Sequence, residues 1–66
     1  MKYYIIIDME KGNIVRAFMD EDEAKAKLYS IRKHKYIDEH PNRPLWEYDT
    51  LKIDNGYNLF KATLVG

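Results

Sequence analysis

The side chains able to attack, ligate or relay protons are few: His34, His40, one serine (Ser30) and two threonines (Thr50, Thr63), with no cysteine. Without cysteine, disulfide frameworks, thiolate zinc sites and cysteine nucleophiles are excluded. Neither histidine has a serine near it in the sequence, and no G-x-S-x-G turn is present to present a nucleophile. The two histidines stand six residues apart, which matches neither the i,i+4 pair of a metal-binding helix nor the looped zinc spacing. Asp20-Glu21-Asp22-Glu23 has the charge of a calcium loop but lacks its D-x-[DN]-x-[DN]-G spacing and distant bidentate glutamate. The glycines are isolated and build no phosphate cradle. The expectation is a protein that is not an enzyme, with no catalytic residues, no metal ligands and no cofactor.

Recognition chemistry is better represented. Lys25–Lys35 carries five basic residues and no acid, with Tyr29 and Tyr36 beside Arg32. Aromatic and arginine side chains supply most of the energy of protein interfaces. Tyr29, Arg32, Tyr36, Trp46 and Tyr48 are therefore the expected partner-binding residues. A second reading is a single-stranded nucleic-acid binder, with Trp46, Tyr48, Tyr57 and Phe60 as a stacking platform on a sheet. Against it, eleven basic residues balance eleven acidic ones, whereas nucleic-acid-binding domains are distinctly basic. No glycine-aromatic motif of the RNA-recognition type occurs.

The elements that must hold these residues follow from periodicity. The chain has 66 residues, enough for one compact domain over 1–66. Residues 2–8 (KYYIIID) read as a strand apolar on both faces, hence central in its sheet or covered on both sides. Gly12 and Asn13 suit a tight turn, and a returning strand spans 14–19. Asp20 caps a helix over 20–38, with Glu23 placed for a capping box and acids at its positive end. Ala24, Leu28 and Ile31 form its apolar stripe, with Lys35 snorkelling at the margin. Tyr29, Tyr36, Lys25 and Arg32 share a neighbouring flank. After the two prolines of 38–44, strands are expected over 45–53 and 57–65, joined by a hairpin at Asn55-Gly56. The expected fold is α+β, of order ββαββ: two hairpins in a four-stranded antiparallel sheet with one helix on one face.

One helix covers one face of such a sheet, yet Tyr3, Ile5 and Ile7 point one way in the first strand while Tyr4 and Ile6 point the other. Burying one large apolar side chain contributes roughly 1.5–3 kcal/mol, so a small fold gains much by covering the second face too. An exposed apolar face marks an association surface, and the expectation is a homodimer or a docked protein partner. The alternative is a monomer whose Lys52, Lys61 and tyrosines fold over that face. A free edge strand offers a further route, by strand addition.

The longest apolar run, Tyr3 to Ile7, is too short for a signal-peptide core or a membrane span. The chain accordingly reads as a complete cytosolic protein without a membrane partner. The run IIIDMEKGNIVRAFMDEDEA, strand, glycine turn, strand and acidic helix start, resembles many short proteins of bacteria and their phages. That resemblance covers the first half of the chain and carries no functional motif. It implies a compact protein that binds and inhibits a host protein.

Overall fold

The computed structural model describes residues 1–51 and 53–63. In chain order the elements are β1 (Lys2–Asp8), β2 (Asn13–Phe18), α1 (Glu21–Glu39), α2 (Leu45–Leu51) and β3 (Tyr57–Thr63). The strands form one antiparallel sheet in the order β2-β1-β3. β1 is thus the central strand, as its two-sided apolar pattern requires.

The four-stranded, one-helix ββαββ arrangement is not what forms: among the described residues the sheet has three strands and there are two helices. The difference lies in the strand expected over 45–53, of which Leu45–Leu51 form a helix. Trp46, Tyr48 and Thr50 alternate with Leu45, Asp49 and Leu51, but Leu45, Tyr48 and Leu51 are also spaced three apart, the other reading of a short apolar run. Pro44 decides between them. It precedes the first helical residue, where a missing N–H costs nothing, and its carbonyl accepts from Glu47 N–H at 3.1 Å to close the first turn. An Arg43–Glu47 ion pair at 3.2 Å and a bond from Thr50 Oγ1 to the Trp46 carbonyl brace the same short helix. Lys52, and residues 64 and 65 of the expected last strand, lie outside the described residues.

The Asn55-Gly56 turn does form, with φ of 56° and 83° at its two central residues. Asp54 carbonyl accepts from Tyr57 N–H at 3.1 Å across it. Positive φ at both positions is the type I′ signature. Here the turn leads from α2 into β3 rather than between two strands.

In the first hairpin, the Asp8 carboxylate accepts from Glu10 and Lys11 N–H at 3.0 and 3.2 Å, and its carbonyl accepts from Gly12 N–H at 2.7 Å. Gly12 takes φ 72°, which only glycine adopts at no steric cost. The register then slips between Ile6 and Ile7, so that Val15 is an extra residue in β2.

Asp20 caps α1, accepting from Asp22 N–H at 3.2 Å. The helix lies on the face of β1 carrying Tyr4, Ile6 and Asp8, where Ile6 and Ala24 are wholly enclosed and Leu28 is buried. Lys35 snorkels as expected, donating to Glu10 Oε2 at 3.1 Å and to the Asn55 carbonyl at 2.9 Å. One lysine therefore ties the helix to both turns at this end of the sheet. The last turn of α1 holds no basic residue, so the charge match to the helix dipole is confined to its start.

Asp8→Ala removes the acceptor of two N–H groups in a buried position and is expected to cost about 1–3 kcal/mol. Each kcal/mol lowers the melting temperature by about 4–8 °C in a domain this size. Asp8→Asn keeps an acceptor and should lose less. Thermal melts of the two variants check this, and equal melting temperatures would rule the Asp8 turn out as the anchor.

Candidate protein-binding surfaces

The flank of α1 expected to meet a partner is occupied by the chain's own α2. Tyr48 is buried between Tyr29 and Tyr36, its ring centroid 5.6 Å from the first in an edge-on arrangement and 5.7 Å from the second. Such aromatic pairs contribute about 0.5–1.5 kcal/mol beyond the area they bury. Polar bonds rim the cluster. Tyr36 Oη donates to Glu47 Oε2 at 3.2 Å, Tyr29 Oη donates to Asp49 Oδ1, and Lys33 Nζ donates to Tyr29 Oη at 3.0 Å. Among the described residues α2 approaches α1 and none of the strands, so this cluster is its attachment.

The five residues expected to bind a partner thus divide. Tyr36 and Tyr48, at 5% and 4% exposure, are enclosed. Arg32 is engaged internally, donating from Nε at 3.2 Å and Nη2 at 2.7 Å to the Tyr57 carbonyl. Tyr29 shows half its surface. Trp46, on the outer side of α2, stands 67% exposed. The structure brings Tyr29, Arg32, Tyr36 and Tyr48 together and leaves Trp46 apart.

Burial raises the hydroxyl of Tyr36 above tyrosine's ordinary 10.0, and the neighbouring Glu47 carboxylate raises it further. Burial likewise raises Tyr48, against the opposing pull of Arg32. A Tyr29 bond and the Asp49 charge raise Lys33 despite desolvation. All of these groups keep the protonation state that holds α2 in place at neutral pH.

The second surface is the face of the sheet that α1 does not cover. Cross-strand partners place Tyr3 beside Ala62, Ile5 beside Phe60 and Ile7 beside Ile14 on that side. Among the described residues no element lies over them, and Ile14 and Phe60 remain 65% and 42% exposed. Lys61 does not shield this face, because it pairs with Tyr4 on the α1 side, where its ammonium sits 5.7 Å from the ring centre. The alternation of Tyr3, Ile5 and Ile7 was the sequence signal for this surface. The register that adds Ile14 to it depends on the bulge, which no sequence pattern announces.

The aromatics proposed for base stacking are scattered: Trp46 and Tyr48 on α2, Tyr57 on the helix-covered face and Phe60 on the open one. No cluster of three or more histidine, aspartate or glutamate side chains able to hold a metal occurs among the described residues. No described helix is long and apolar enough to cross a membrane. Comparison with protein families, with curated proteins and with solved structures finds no match to this chain.

Tyr48→Ala is expected to release α2 at a cost of about 3–5 kcal/mol of local packing, while the β1 amides keep their exchange protection. Loss of protection in both together would mean that α2 and the sheet are one cooperative unit. The attachment also has a pH limit. Since Tyr36 and Tyr48 are raised above 10.0 in the folded chain, their contribution is complete below that pH and disappears as pH climbs through the raised values. An alkaline titration followed by Trp46 fluorescence should show α2 leaving in that window.

Proposed function

We propose that this protein is a non-enzymatic protein-binding module that self-associates through the open face of its sheet. The observation that carries this reading is the uncovered set of Tyr3, Ile5, Ile7, Ile14 and Phe60 opposite α1. Its cross-strand pairs are apolar except for Asn58 opposite Ile7, and no cation is among them, which supports an apolar protein surface over a phosphate backbone as the thing met.

The size of the face sets the strength. With strands of six or seven residues, three of them present a flat area of about 330 Å². Stable specific interfaces bury about 1,200–2,000 Å² over both partners. Two such faces fall short of that range even with side-chain relief. The association is therefore reversible and concentration-dependent, leaving the face available to a different protein. Inhibition of a host protein, the role implied by the resemblance to short bacterial and phage proteins, is the form of binding this reading favours.

Sedimentation velocity from micromolar to near-millimolar concentration tests it. The wild-type chain should pass from monomer to dimer, and Ile7→Glu should remain monomeric while keeping its circular dichroism. A wild-type chain that stays monomeric throughout overturns self-association by this face.

A further inference from the structure

α2 commits little of itself to the molecule. Of its large apolar side chains only Tyr48 is buried, while Leu45, Trp46 and Leu51 stand more than half exposed. A helix of seven residues has little stability of its own in water. The chain on either side is fixed without it. Before α2, the His40 N–H bonds to the Tyr36 carbonyl at 2.9 Å and ends α1. After it, Asn55 Nδ2 donates to the Arg32 carbonyl at 2.6 Å, Lys35 holds the Asn55 carbonyl and Arg32 holds that of Tyr57. Pro41 to Pro44 are exposed throughout. α2 can therefore swing off α1 while the helix, the turn and the sheet keep their bonds.

Beneath it lies a slot with definite demands. Tyr29 and Tyr36 are two turns apart, about 10.5 Å along one flank of α1, which admits a single aromatic ring between theirs. Tyr48 is that ring. Both ends of the slot ask for a carboxylate. Tyr36 Oη donates to Glu47, and Tyr29 Oη, which accepts from Lys33, has its own proton left for Asp49. The Lys33 ammonium stands 4.0 Å from the same Asp49 carboxylate. These contacts run α2 antiparallel to α1, and they leave a cleft of about 310 Å³ beyond Asp49, where Lys25 and Leu28 join Tyr29 and Tyr48 in its lining. α2 ends before it can fill that space: Leu51, its last residue, remains exposed.

We infer that this flank of α1 is a recognition slot for a helical segment of another protein carrying a tyrosine between two acidic residues, and that α2 is the chain's own displaceable copy of that segment. The ring and the two acids are the groups the slot already holds in Glu47, Tyr48 and Asp49. The advantage of the incoming segment is length. A helix that continues one turn past its tyrosine sets an apolar side chain in the cleft over Leu28, which α2 leaves unfilled. Until displaced, α2 masks the slot and lowers its apparent affinity. The slot shares no side chain with the open sheet face, so the inference stands apart from self-association.

The probe is a capped, alanine-based dodecapeptide containing Glu-Tyr-Asp, with leucine four residues after the tyrosine and no tryptophan. Added to the wild-type chain, it should shift the Tyr29, Lys33 and Tyr36 amides and change Trp46 fluorescence with one midpoint, because binding expels α2. Tyr48→Ala, which vacates the slot, should bind the peptide at least about tenfold more tightly and show no change at Trp46. Should Tyr48→Ala fail to fold, Asp49→Lys, a change at the exposed rim, replaces it with the same expected gain. Equal affinity for wild type and variant overturns the inference, as do absence of binding to the variant and equal binding of a peptide with lysines in place of its acids. Ile7→Glu should bind as wild type does; loss of binding there would move the peptide to the open face and overturn the slot. Shifts at Tyr29 and Tyr36 that grow with protein concentration alone would assign the slot to a second copy, and also overturn it.

Discussion

Ile6 is sealed between the central strand and α1, and the side it chose determines the rest of the molecule. A strand of alternating residues facing one helix must turn its odd-numbered set, Tyr3, Ile5 and Ile7, the other way. No local rearrangement escapes this, because a one-residue slip would only exchange which set is buried. The described residues form a single long helix for a two-sided apolar strand, and the imbalance becomes a surface.

Much of this was legible in the residues. Asp20 starts α1 as its side chain dictates, and the β1–β2 turn sits where Gly12 places it, with Asn13 opening β2. Asn55-Gly56 forms its turn as well, since backbone conformation at such a pair is local. The failure at 45–53 is of another kind. Nine residues rich in aromatic and branched side chains satisfy a period of two and a period near three and a half almost equally. The arbiter was Pro44, outside the apolar run. Glu47 and Asp49, poorly suited to a strand, found partners in Tyr36, Arg43, Tyr29 and Lys33 instead.

The same substitution of helix for strand explains why the candidate site was only half readable. Tyr29, Arg32 and Tyr36 do form one flank, and that flank does bind aromatic side chains. What it binds is Tyr48 of the same chain. An aromatic-rich helix flank in a sequence looks alike whether its partner is another molecule or a later segment of the same chain. Spacing reports that a face is sticky; topology decides to whom it sticks.

The bulge at Val15 has an outcome for solubility. Sheets grow into filaments when one edge of a subunit matches the opposite edge of the next, a head-to-tail contact that never closes. Here the two edges are mismatched by construction: one is kinked by an extra residue, and the other has its first outward carbonyl already capped by Arg32. A chain with a greasy underside and short β-rich segments is thereby steered away from endless stacking and toward small, finite assemblies.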